Sequence, residues 1–205
     1  MKDDATPAAA TPADVARDSA ADTPSGLVTA TVLAVSSLTI LANATIAPSL
    51  PGIAAAFAGT PGVEGLTGLA LSLPSLSIML SAGLFGWLSD RANPLHVLLG
   101  AMVAYALAGA SGALAPTIES LLVGRFLLGF GVAGTMTVAT LLASSLWRGA
   151  ARERFMGWQF AATSLVGVFL LVGGGLLAEL DWRAPFLIYL VALPIAALAG
   201  ATLRG

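Results

Sequence analysis

Few side chains in this sequence can do chemistry, and their scarcity already narrows the options. There is one histidine, His96, and no cysteine. Disulfides, thiolate metal sites and a cysteine nucleophile are excluded. A histidine metal site or a catalytic triad has almost nothing to draw on. Gly109-Ala110-Ser111-Gly112 has the spacing of a serine-nucleophile motif. Such a serine needs a base within reach, and His96 lies about 22 Å away along the same helix, so proteolysis is rejected. No G-x-x-x-x-G-K-[ST] stretch occurs; no phosphate-cradling loop and no ATP motor follow. No cofactor is expected.

Two groups of residues remain. Arg125 stands alone in an apolar stretch, followed by Gly129, Gly131 and Gly134. A charge inside a membrane span costs several kcal/mol unless it faces protein or water. Arg125, with Gly129 beside it, is therefore expected to face a cavity; a snorkelling arginine at the interface is the alternative. Ser36, Thr39 and Asn43 fall at i, i+3 and i+7, on one helix face. That face either lines a solute cavity or bonds neighbouring helices, at about 0.6 kcal/mol per bond. Gln159 is polar but close to a span end, where interhelical bonding is the stronger reading. Pro74 lies inside an apolar run, where it deletes a helix hydrogen bond and kinks the helix.

The elements that must position these residues are set by composition. Of 205 residues 57% are hydrophobic and 10% charged, and mean hydropathy is +0.90. A soluble domain is about 25% charged. A soluble enzyme, a disordered scaffold and a nucleic-acid binder are excluded; a net charge of −2 offers no basic field for phosphates. Seven of the charges lie in the first 26 residues. The rest divide the chain into the long charge-free runs 27–63, 65–89, 92–118, 126–147, 155–178 and 184–203. A bilayer core needs roughly 20 apolar residues as helix, and none of these runs alternates as a barrel strand would. The sequence therefore predicts an all-α membrane protein with transmembrane helices near 27–47, 66–88, 95–115, 119–146, 155–178 and 184–203. Residues 1–26, rich in Ala, Pro, Thr and Asp, are expected to be a disordered tail. They are too long and acidic for a signal-peptide n-region, and Ala42-Asn43-Ala44 is taken as a chance match to a cleavage site.

Orientation follows from Lys and Arg. With the N-terminus cytoplasmic, Lys2, Arg17, Arg91, Arg148, Arg152, Arg154 and Arg204 lie inside and Arg183 outside. The C-terminus is then cytoplasmic too. An internal repeat fits this topology. Gly83/Gly175, Leu84/Leu176, Leu88/Leu180, Arg91/Arg183, Ala92/Ala184 and Leu95/Leu187 match at one constant offset. An offset of three spans puts the copies on opposite membrane faces, as in inverted-repeat transporters.

Four segments carry a family likeness. They are Leu41–Pro51; Gly86-Trp87-Leu88-Ser89-Asp90-Arg91; Arg125-Phe126-Leu127-Leu128-Gly129-Phe130-Gly131-Val132-Ala133-Gly134; and Gly174–Phe186. Together they resemble the N-terminal six-helix half of a bacterial major facilitator superfamily member, over residues 27–205. The resemblance implies a 3+3 inverted repeat and alternating access by a secondary transporter in the plasma (inner) membrane. It implies a small-molecule solute and protons as coupling ion, with Arg125 contributing to proton coupling. It also implies a latch at Gly86, Asp90 and Arg91, with Asp90 capping a neighbouring helix in one conformational state. The loop departs from the family pattern G-x-L-x-D-R-x-G-R-[RK], because Asn93-Pro94-Leu95 stand where Gly and two basic residues are expected. The span-4 pattern R-x-x-Q-G-x-G-A also differs at its Gln, which is Leu128 here. The expected partners are the bilayer, the solute, and a missing C-terminal six-helix half or a second copy. A non-transporting fragment, and an oligomeric six-span channel or scaffold, are the alternatives.

Overall fold

The structure, a computed structural model, describes residues 24–203. The expected disordered tail, up to residue 23, lies outside the described residues. Six helices long and apolar enough to cross a membrane follow in order: α1 (Gly26–Ala56), α2 (Val63–Arg91), α3 (Pro94–Leu114), α4 (Ile118–Leu146), α5 (Gly149–Leu180) and α6 (Ala184–Thr202). No strand occurs among the described residues. In hydrocarbon a backbone that cannot reach water must bond within itself, and a helix does so locally.

Local signals set the ends. Ser25 Oγ accepts from the Val28 amide at the start of α1. Thr117 and Ser120 form a reciprocal capping box at the start of α4. Asn93 Oδ1 accepts from Leu95 N at 2.9 Å, with Pro94 at the first helical position of α3. Gly62 and Gly149 take left-handed φ values of 74° and 52° where the chain turns into α2 and α5, a conformation that costs glycine least.

Two expected ends are corrected. α1 does not stop near residue 47. Its first α-helical part, Gly26–Ala44, is followed by a 3-10 turn, Ala47–Ser49, and a second α-helical part, Leu50–Ala56. Pro48 and Pro51 interrupt the helix, but each sits at an early position of the next segment, where its missing N–H costs nothing. α5 begins at Gly149 rather than 155, so Arg152, Glu153 and Arg154 are helical. A charge-free run marks the hydrocarbon depth; the helix continues past it into water.

α4 is the centre of the bundle, lying against α2, α3 and α1, and α1 lies in the same way against α5, α6 and α4. The helix pairs in extensive contact map onto themselves when α1 and α4, α2 and α5, and α3 and α6 are exchanged. That is the contact signature of two three-helix units related by a two-fold operation, the inverted repeat. The core between them joins Val35 and Leu38 of α1, Leu98 and Tyr105 of α3, Leu128 and Val132 of α4, and Tyr189 of α6. A smaller cluster at one end closes over Trp147 and Phe155, whose rings stack at 3.9 Å.

Candidate functional site

Two polar assemblies interrupt the apolar packing. The first is an open groove of about 370 Å³ between α1, α4 and α5. Ser36 and Thr39 come from α1, Met136 and Thr140 from α4, and Met156, Gln159, Phe160 and Thr163 from α5. Gln159 Nε2 donates to Ser36 Oγ at 2.8 Å, and that hydroxyl donates to Val32 O at 2.8 Å. Thr140 and Thr163 turn their hydroxyls back onto the carbonyls of Met136 and Gln159. No lining side chain is charged. The groove offers hydroxyl and amide groups along one side and two methionines and a phenylalanine along the rest. Such walls can hydrogen-bond one edge of an organic solute and pack its apolar body.

The second assembly is centred on Arg125, which is 2% exposed. Its Nε donates to Ala70 O of α2 at 3.1 Å. Nη2 donates to Ala42 O of α1 at 2.6 Å, and Nη1 to the Tyr189 hydroxyl of α6 at 2.8 Å. Tyr189 in turn donates to Ala42 O at 3.0 Å. One side chain of α4 therefore ties three other helices.

The structure brings together only part of the expected site. Ser36 and Thr39 line the groove. Asn43 does not; it is exposed at the end of the first part of α1. Arg125 does not line the groove either, because backbone carbonyls and a phenol hold its guanidinium in the core. Gly129 is under α2 rather than on a cavity wall: a Cβ there would stand 2.5 Å from Pro74 O and 2.5 Å from Ser77 Cβ. Gly86 is half-buried, and Asp90 and Arg91 are exposed at the end of α2, where the Arg91 guanidinium sits 4.5 Å over the Trp87 ring. The adjacent start of α3 is capped by Asn93 and not by Asp90. Ser111 donates to Ala108 O at 2.7 Å, consistent with rejecting it as a nucleophile. Thr140 and Thr163 are groove residues that the sequence reading missed, and Gln159 is one that it assigned to interhelical bonding. Gln159 and Thr163 at i and i+4 were the available signal.

Six spanning helices, a two-fold contact pattern and a polar groove define a multi-pass helical membrane protein built from an inverted repeat. Comparison with known proteins names its family. The profile described as Major Facilitator Superfamily matches residues 32–205, and the chain belongs to that family of membrane transport proteins rather than to any enzyme class. It is 32% identical over 131 residues to the niacin transporter NiaP of Acinetobacter baylyi, a stretch covering 60% of this chain and 28% of that protein. It is 30% identical over 142 residues to the class C tetracycline resistance protein of Escherichia coli, covering 69% of this chain and 36% of that protein. The matched stretch is thus about a third of each relative's length.

Proposed function

We propose that these six helices are the N-terminal half of a secondary transporter that moves a small organic solute by alternating access. The groove between α1, α4 and α5 is this half's share of the solute path. The observation that carries the reading is the convergence of Ser36, Thr39, Thr140, Gln159 and Thr163 from three helices on one open groove in an otherwise apolar bundle. A second six-helix unit, a C-terminal half or a second copy, packs against the faces of α2 and α5. These are the least covered helices, with 22% and 6% of their most apolar stretches buried against 56% for α4. Protons are the proposed coupling ion. The acidic residues at positions 24–203 are Glu64, Asp90, Glu119, Glu153, Glu179 and Asp181, all exposed and near helix ends. A mid-membrane carboxylate that takes up the proton therefore belongs to the second unit. The site is the bacterial inner membrane, with both termini cytoplasmic.

The test is flux into proteoliposomes containing the chain, under an imposed pH gradient, with labelled niacin and tetracycline as separate probes. Gradient-driven flux of either probe, lowered roughly tenfold by Gln159→Leu through loss of a half-buried hydrogen bond, supports the carrier. No flux from a folded chain means that these helices alone do not transport. Unitary conductance steps would favour an oligomeric channel instead.

A further inference from the structure

Arg125 is the buried cation among the described residues, and no carboxylate is buried with it. What it bonds is the informative part. Ala70 lies four residues before Pro74, so its carbonyl faces a ring nitrogen that has no hydrogen to give. Ala42 belongs to the last turn of Gly26–Ala44, where α1 breaks; the Thr45 amide returns to Leu41 O, and carbonyls in such a last turn lack an intrahelical donor. The same helix end carries partial negative charge, which offsets the guanidinium without a carboxylate. Both backbone acceptors of Arg125 are thus carbonyls left vacant by an interruption in a neighbouring helix. A planar fork with five donors reaches two such carbonyls and a phenol at once; an ammonium point charge does not.

We propose that Arg125 is a positioning residue, holding α1 and α2 against α4 by filling the carbonyls that the α1 break and Pro74 leave without donors. Its charge is retained for the geometry of its donors, not for contact with solute. Ser36 and Thr39 lie on the part of α1 that it holds, so the clamp also fixes the α1 wall of the groove. The inference stands on the hydrogen bonds alone and does not depend on the transport reading.

A specific rescue tests it. Arg125→Lys keeps the charge but reaches fewer acceptors. Pro74→Ala restores the N–H that Ala70 O lacks. The chain and its variants are purified in detergent micelles and compared by thermal unfolding and by amide hydrogen exchange in α2. Arg125→Lys is expected to lower the midpoint by roughly 5 °C or more. The Pro74→Ala/Arg125→Lys double variant is expected to regain at least half of that loss, with slow exchange at the new residue-74 amide. A midpoint unchanged by Arg125→Lys would show that charge alone suffices and overturn the proposal. So would a loss that Pro74→Ala leaves in full. If Arg125→Lys does not fold, recovery of a folded double variant supports the clamp and its failure to fold counts against it. Pro74→Ala with Arg125 intact is expected to hold or raise the midpoint.

Discussion

Tyr105 and Tyr189 look equivalent at the level of single residues. Both are fully buried, their rings meet edge to face at 5.6 Å, and each donates its hydroxyl to a carbonyl of α1, Leu38 O at 2.8 Å and Ala42 O at 3.0 Å. Their environments make them unequal. Leu38 lies inside a regular helix, where its carbonyl already has a donor. The Tyr189 hydroxyl also accepts from Arg125. Tyr105→Phe should therefore cost about 1 kcal/mol, and Tyr189→Phe, which strands a guanidinium N–H in the core, about 2–3 kcal/mol. Unfolding of the two variants in micelles checks the order; equal losses would mean that the phenol does not share the arginine's load. This environment was not legible in the sequence. Arg125 declared itself as an anomaly, but its partners stand 55, 64 and 83 residues away in the chain. Two of them are backbone atoms, which leave no mark in a residue pattern. Pro74 was visible; that the Ala70 carbonyl it leaves without a donor would be met by Arg125 was not. Gln159 was undervalued for a related reason, since distance from a span end says nothing about which helix lies opposite.

Between elements, α4 fits tightly on α2 and α3. A Cβ on Gly129 would meet Pro74 O and Ser77 Cβ at 2.5 Å, and one on Gly131 would meet Tyr105 Cα at 2.6 Å. These neighbours are backbone or the root of a side chain and cannot swing aside. Lipid tails are as apolar as the helices, so close packing, not hydrophobic exclusion, holds such pairs together. Gly129→Ala should cost about 1–3 kcal/mol by overpacking. Gly86→Ala, where nothing stands within 4 Å, should be neutral or gain up to about 1 kcal/mol of helix propensity. Paired melting curves of the two variants measure the contrast, and a harmless Gly129→Ala would mean that α2 yields easily. Span number and order were legible because charge avoidance in hydrocarbon is severe. Helix ends were less so, since α5 keeps its hydrogen bonds past the last apolar residue. The glycine clusters of α4 and α5 look alike in sequence but differ in place. Gly129, Gly131 and Gly134 are packed tightly, whereas a Cβ on Gly173 or Gly175 would meet nothing within 4 Å.

For the whole molecule, the exchange of α1–α3 with α4–α6 has a consequence that does not depend on any single contact. Three spans separate the matched segments that end α2 and α5. An odd number of crossings puts Arg91 and Arg183 on opposite faces of the bilayer, although each stacks on a tryptophan of its own segment, at 4.5 and 4.3 Å. The chain has no cysteine, so single cysteines report position without background. Ala92→Cys lies after α2 and Asp181→Cys after α5, both at exposed sites. Under the proposed orientation, Arg148, Arg152 and Arg154 mark the α4–α5 connection as cytoplasmic by the positive-inside rule, which predicts Ala92 inside and Asp181 outside. A membrane-impermeant maleimide should label Asp181→Cys in intact cells and Ala92→Cys only after permeabilisation. The reverse pattern would overturn the orientation and keep the inverted repeat. Labelling of both from one side would remove a crossing between them, and with it the two-fold relation between the three-helix units.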